Sequence, residues 1–385
     1  MTHTPVRRQP PSPTKRRDDR APTWDNLRFV AGTLVLLMHA VDPVIAERDG
    51  LRWLHIATWA LRVPLFAILA GYFSGAAPLT RRRGGLLVES LVVPYVALQA
   101  LSAVQIWAMS GRGWPEEVEA RTWTMWFLVS LVVWRLALPY LARLRHPLRV
   151  SVVAAVLAGY VPLTEIGLFE FSRNLCFLPF FLLGWRLRQG GLDELRARLS
   201  RRAAWAVLAV MFAAAWPLTR LLDVEWLKMR APYAQAAGEQ LAASHAWAVR
   251  GAVLLGGMLV ALSVVRLVPG RRLPFVTYLG SGGLYIYLLH PLVLRPLTAA
   301  GVPARLDSWP EQAGLVAAAV LVSAALASPP VRRLTRGVVQ PRLPRERLPA
   351  GTGRGVRRRE PIARVRRQTL LRGFRLDRTS IPRKD

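Results

Sequence analysis

The chain has 385 residues, of which 52% are apolar, and a formal net charge of +30. Its single cysteine, Cys176, excludes an intrachain disulfide framework. No H-E-x-x-H, G-x-S-x-G or Walker sequence occurs, which sets aside the zincin, nucleophile-elbow hydrolase and P-loop classes.

Residues 1–23 are rich in Arg and Pro and poor in aromatic residues. Such a segment buries too little apolar surface to fold alone, so a disordered basic tail is expected there. No cleavable signal peptide is expected, because the first apolar run is too long for a signal h-region. From residue 24 to 334, runs of about 20 apolar residues recur, each long enough to cross a ~30 Å hydrocarbon core as a helix. Ten spans are expected, at roughly 26–46, 53–73, 86–109, 123–142, 150–169, 172–187, 203–222, 245–265, 274–296 and 311–331. The sixth is short, and its connection to the fifth is tight. Residues 335–385 read as a second disordered basic tail. The expected fold class is an all-α polytopic membrane protein, with one membrane domain at 24–334 between two tails.

The charge follows this pattern. With the N-terminus in the cytoplasm, the segments placed inside hold 39 of the 53 Lys and Arg residues, those placed outside hold nine, and five lie within spans. The excess alternates at every connection, as the positive-inside rule requires. Both termini are therefore expected in the cytoplasm, with the chain in the plasma membrane, and the charge is a topology signal first. The C-terminal tail has a second reading as an anionic-lipid contact, worth about 1 kcal/mol per basic residue near the surface. It has no aromatic interleaving and no nucleic-acid-binding motif, so no nucleic-acid partner is expected.

Ionisable groups at bilayer depth are costly and each is a candidate site. Arg28 opens the first span and His39 lies eleven residues later. Eleven helical steps give about 1100°, roughly 20° past three turns, so both side chains share a face about 16 Å apart along the axis. Each also has a structural reading: Arg28 as a snorkelling boundary residue, His39 as an interhelical hydrogen bond. Asp42 reads as a boundary acid, or as a group that orients the imidazole. Arg62 sits near the middle of the second span, where snorkelling is strained, so an interior cavity or a partner is expected. His290 lies in the ninth span at a depth close to that of His39, after Gly280, Gly282 and Gly283 and before Pro291, residues that loosen a helix. Arg173 opens the sixth span and has a snorkelling reading of its own. No ligand pair at helical spacing within a span supports a metal site.

Five segments carry a resemblance. WDNLRFVAGTLVLLMH (24–39) resembles the R-x10-H signature of the acyltransferase 3 family, in its fucose 4-O-acetylase-like branch. RVPLFAILAGYF (62–73), MWFLVSLVVWRL (125–136), SRNLCFLPFFLLGWRL (172–187) and LGSGGLYIYLLHPLVL (279–294) resemble the later segments of that family, in order. Each motif alone is loose; five in order, covering residues 24 to about 334, are specific. The departures are Val63 for the usual Met, Ala70 where Ser often precedes Gly71, and Gly283 where Ser precedes Leu284.

What the resemblance implies is a membrane-bound O-acyltransferase. It implies cytoplasmic acyl-CoA, acetyl-CoA above all, as co-substrate, with no tightly bound cofactor. The partner would be a hydroxyl acceptor, a cell-envelope or exported glycan. Arg28 would hold donor phosphate or pantetheine, and His39 would act as general base or carry the acyl group. Arg62, Trp126, Arg173 and His290 would line the cavity. Two rivals are kept. A transporter also uses intramembrane charge and broken helices, and a non-catalytic scaffold would hold the motifs as relics. Acceptor, chain length and oligomeric state are not legible. The topology is tested by single cysteines at Gly113 and Gly238, expected to react with an impermeant thiol reagent on whole cells, whereas cysteines at Gly84 and Gly190 stay unlabelled. Outside labelling of the second pair overturns the orientation.

Overall fold

A computed structural model describes residues 21–110, 125–161, 171–236 and 243–341. Most of each expected tail, the first two residues of the span at 123–142 and the last eight of that at 150–169 lie outside the described residues. Among the described residues the regular elements are helices. In chain order they are α1 (Ala21–Val41), α2 (Asp49–Ala57), α3 (Val63–Tyr72), α4 (Arg81–Ser110), α5 (Trp126–Leu141), α6 (Pro147–Leu157), α7 (Phe171–Arg186) and α8 (Leu192–Arg198). They continue with α9 (Arg201–Leu221), α10 (Glu225–Lys228), α11 (Tyr233–Ala236), α12 (Ala243–Leu267), α13 (Val276–Gly280), α14 (Gly283–Ala299), α15 (Trp309–Ala327) and α16 (Pro329–Val339).

Five of these are long and apolar enough to cross a membrane: α1, α4, α9, α12 and α15. The pair α2 and α3, bent by 55°, makes a sixth if counted as one span. The ten expected spans therefore resolve into five or six of full length and a remainder of shorter or broken helices. Helix α7 has 16 residues, α5 also has 16, and the expected ninth span is split at Ser281–Gly282 between α13 and α14. The last helix runs to Val339, past the expected tail boundary at 334.

Burial separates an inner from an outer set. Helix α7 is buried at every position from Ser172 to Trp185 except Leu175, and the apolar stretch of α1 is 61% buried. The corresponding stretches of α9 and α15 are only 17% and 22% buried although equally apolar. They present Trp205, Val210, Trp216 and Leu321 outward. Apolar helices this exposed are stable only where lipid rather than water solvates them, and a helix satisfies its own backbone there. The chain is thus a multi-pass membrane protein.

Glycine sets the inner packing. A Cβ on Gly71 would lie 1.8 Å from the Phe181 carbonyl oxygen, and one on Gly184 would lie 1.9 Å from that of Ile68. Helices α3 and α7 therefore meet backbone to backbone, as small residues permit in membranes. Both run the same way: Arg188 donates to the Ser74 carbonyl at one end (3.2 Å), and Arg62 and Arg173 share a cavity at the other. A second parallel contact joins α1 to α13 and α14. Gly280 abuts the Asp25 carbonyl, Gly283 abuts Arg28, and Gly32 packs on Ile286. The glycines expected to loosen the ninth span thus serve close approach, and the Ser-to-Gly departure at 283 is explained. A Cβ there would lie 2.9 Å from that of Arg28.

Gly184→Ala forces one helix off the other and is expected to destabilise the bundle by roughly 1–3 kcal/mol, the usual range for overpacking. Gly84→Ala, with nothing within 4 Å of its added methyl, is the control. Thermal aggregation in detergent, followed by size exclusion, compares the two; equal midpoints contradict the packing argument.

Candidate functional site

A cavity of about 250 Å³ opens where α1 ends, between α1, the α2–α3 bend, α5, α7 and the segment around α10. Its lining includes His39 and Asp42 from α1 and the 3-10 turn that follows, His55 from α2, Arg62 from the bend, Trp126 from α5, Arg173 from α7, and Lys228 and Arg230.

Arg62 does not lie within a continuous helix, as the sequence led us to expect. It occupies the bend, with φ −100° and ψ −115°, and its neighbour Pro64 falls in the first turn of α3. Pro64 has no N–H to donate to the Ala60 carbonyl and its ring crowds that carbonyl, so one helix cannot run unbroken through this point and the break has a sequence cause. Arg62 is 7% exposed. One guanidinium nitrogen donates to the His55 carbonyl oxygen (2.7 Å), and the other lies 3.3 Å from His55 Nδ1. Both of these acceptors are uncharged when the ring is neutral, and the carboxylate that faces Arg62 electrostatically is Asp42 of the same lining. Non-helical backbone at membrane depth is tolerated where it lines a cavity, and the bend meets that condition.

Arg173 is 8% exposed and does not snorkel. Its Nε donates to the Lys228 carbonyl oxygen (3.1 Å), and its guanidinium carbon lies 5.1 Å from the centroid of the Trp126 ring, a cation–π distance. The Lys228 carbonyl is one of three consecutive acceptors. Trp59 Nε1 donates to the Leu227 carbonyl (2.8 Å), and Ser172 Oγ donates to the Met229 carbonyl (3.0 Å). Met229 itself adopts φ 53°, ψ 25°, a left-handed conformation uncommon for a non-glycine residue and maintained only when surroundings enforce it. The three capped carbonyls supply that enforcement and fix Lys228 and Arg230 on either side of the strained residue.

His290 stands behind His39 rather than in the cavity lining. The two rings stack with centroids 5.1 Å apart and planes 5° from parallel. His290 is fully buried, and its Nδ1 lies 2.7 Å from the Tyr287 carbonyl oxygen. A carbonyl only accepts, so Nδ1 carries the proton and the ring is held in one tautomer and one plane. Arg28 lies at the other end of α1. It pairs with Asp25 (2.6 Å) and covers the Phe73 ring at 4.6 Å, with a third of its side chain exposed.

Of the six residues singled out in the sequence, His39, Arg62, Trp126 and Arg173 converge on one cavity, His290 supports it, and Arg28 is separate. Asp42 lines the cavity, which favours its functional reading over the boundary one. Sequence reading missed His55, Lys228 and Arg230. The first had a signal: His55 and Arg62 are seven residues apart, about 20° short of two helical turns. The other two sit in a polar connection and were counted only as loop charge. Arg250 was also passed over, although it is 1% exposed. It donates to the Ala231 carbonyl (2.9 Å) and lies over the Tyr233 ring, so it anchors the segment that follows Arg230.

Residues 22–328 match the family model described as an acyltransferase domain. No curated protein and no solved structure matches the chain.

Proposed function

The chain belongs to the acyltransferase 3 family and is a membrane acyltransferase, and on that premise we propose that it moves an acyl group, acetyl first among them, from acyl-CoA to a hydroxyl of an envelope or exported glycan. On this reading it falls in the fucose 4-O-acetylase-like branch, lies in the plasma membrane with both termini cytoplasmic, and takes its donor from the cytoplasmic side. The observation that carries the proposal is the convergence of His39 with two buried arginines on one cavity inside an apolar bundle.

The chemistry follows from that arrangement. His39 accepts the proton of the acceptor hydroxyl, and the resulting alkoxide oxygen forms a bond to the thioester carbonyl carbon. Negative charge collects on the carbonyl oxygen in the tetrahedral state. Arg62 and Arg173 supply fixed positive charge for it in a site of low dielectric, where such stabilisation is largest. Collapse breaks the carbon–sulfur bond, and the imidazolium returns its proton to the leaving thiolate, so the base is restored. Stacked His290 keeps the His39 ring in plane through this cycle, and Asp42 in the same lining holds a negative charge toward Arg62. Arg28 at the opposite end of α1 has the planar fork suited to phosphate and takes the donor's polar end. No tightly bound cofactor enters this scheme.

His39→Ala is expected to lower the transfer rate by roughly 10²–10⁴-fold, the usual contribution of a general base, while acyl-CoA affinity is retained. Arg28→Ala is expected to weaken donor binding, with Arg28→Lys recovering part of it, because a point charge lacks the bidentate geometry. Donor affinity and single-turnover transfer at matched expression separate the two roles. Near-normal transfer by His39→Ala refutes the proposal.

A further inference from the structure

A second recess lies at the other end of α1, away from His39. It measures about 470 Å³, and its lining includes Asp25 from α1 with Arg272, Phe275, Thr277 and Tyr278 from α13 and the turn before it. Asp25 is the acid that pairs with Arg28 (2.6 Å). The recess therefore adjoins the residue assigned above to the polar end of the donor. Two aromatic rings stand open in its wall. Phe275 is 79% exposed and Tyr278 is 60% exposed, and among the described residues neither ring meets another ring or a cation.

The first ring is held in place at a cost. Phe275 adopts φ 63° and ψ −55°, and the Val276 N–H donates across it to the Pro274 carbonyl (2.7 Å). This is the rare, strained form of the γ-turn, with a bulky residue at its centre. Such strain persists only where the surroundings impose it, and here they are one buried amide. Asn26 is 2% exposed. Its Oδ1 accepts from Thr277 Oγ1 (2.6 Å), and its Nδ2 donates to the carbonyls of Pro269 (3.3 Å) and Arg271 (3.4 Å). Thr277 Oγ1 in turn accepts from the Leu273 N–H (2.7 Å). Both flanks of the turn are thus tied to α1, two residues before Arg28. An aromatic residue that only anchors a helix end at a membrane surface does so in any backbone conformation; this turn fixes where the ring stands, beside a carboxylate.

We propose that this recess receives the purine base of the acyl-CoA donor, with Phe275 and Tyr278 as its stacking faces. The ligand follows from the acyl-CoA reading, on which the proposal rests: adenine is the flat aromatic group of that donor, and a base stacks on an open aromatic ring without further hydrogen bonds. The carboxylate suits the base as well. Asp25 uses Oδ1 for Arg28, and Oδ2 is the acceptor for the exocyclic amine. Helix α1 then carries the whole donor, from the base at Asp25, past Arg28, to the thioester at His39. Asp25 and His39 are fourteen residues apart, about 21 Å by helical rise.

The test uses the full chain in nanodiscs. Binding of adenosine 3′,5′-bisphosphate is measured without acceptor. Transfer to methyl glucoside is then compared for acetyl-CoA and for acetyl-pantetheine, which has the same thioester and no nucleotide. Phe275→Leu and Tyr278→Leu keep apolar bulk and remove the aromatic face. Each is expected to weaken bisphosphate binding and raise the KM for acetyl-CoA by about fivefold or more, the lower end of base stacking, while kcat and the KM for acetyl-pantetheine change by less than about twofold. Phe275→Tyr is expected to bind the bisphosphate as the unaltered chain does, which separates lost stacking from lost folding. Absence of bisphosphate binding, or binding unchanged in both leucine variants, overturns the proposal. So does an equal loss with both donors, which would make the rings anchors of the fold or of the membrane surface. Bisphosphate binding that depends on Phe275, with no transfer from acetyl-CoA, would sustain the base site and count against the acyltransfer reading alone.

Discussion

Everything at the cavity depends on how closely α3 and α7 approach. Their backbones touch at Gly71 and Gly184, where any side chain would strike a carbonyl. Arg62 lies nine residues before the first glycine and Arg173 eleven before the second, so each is about 13–17 Å from the contact by helical rise. Two helices clamped at one end and running the same way deliver their other ends to one place. The two arginines meet at the cavity for that reason, although 110 residues of chain separate them. Apolar burial drives little helix association inside lipid, so van der Waals contact at such glycines has to supply the order.

The charges so delivered set the next constraint. A buried guanidinium in a bilayer is tolerated when backbone acceptors surround it, and backbone carbonyls serve each of the three buried arginines here. Arg62 uses the carbonyl of His55, Arg173 that of Lys228, and Arg250 that of Ala231. A carbonyl takes up a donor without cancelling the charge, so these contacts preserve the field at the cavity. They also tie the segment from Leu227 to Tyr233 to the core from both sides, which is why a polar connection of this length can hold functional side chains in place.

The sequence was most legible where one helix carries the whole signal. The spacing of Arg28 and His39 gives a shared face by arithmetic, and long apolar runs give α1, α4, α9, α12 and α15 directly. It was least legible where a feature is made between segments. Nothing in the run around Arg62 reveals the bend except Pro64, because a 55° break leaves composition unchanged. The 16-residue α7 is too short to read as a full crossing and is buried all round, so hydropathy alone cannot separate a short inner helix from a full span. Lys228 and Arg230 were counted as loop charge because a topology rule sums charges without asking where they point. Gly280 and Gly283 were visible, but a glycine in a helical pattern signals either a break or a close approach. Here it signals both, and only the facing backbone of α1 distinguishes them.

That facing backbone ties the two most distant motifs of the chain into one device. Asp25 meets Gly280, Arg28 meets Gly283, Gly32 meets Ile286, and His39 stacks on His290. The numbers rise together on both helices, so α1 lies parallel to α13 and α14. This packing fixes both ends of the R-x10-H pair: the arginine by a glycine that leaves it room, the histidine by a ring that fixes its plane. A larger residue at Gly283 would lift α1 at Arg28, and because the same two helices meet at both places the displacement would carry to the stacked rings. Arg28 and His39, eleven residues apart on α1, thus face Gly283 and His290, seven residues apart on α14, and each pair lies on one face of its own helix. Two segments more than 240 residues apart in the chain act as one structural unit, and each motif is explained by the other.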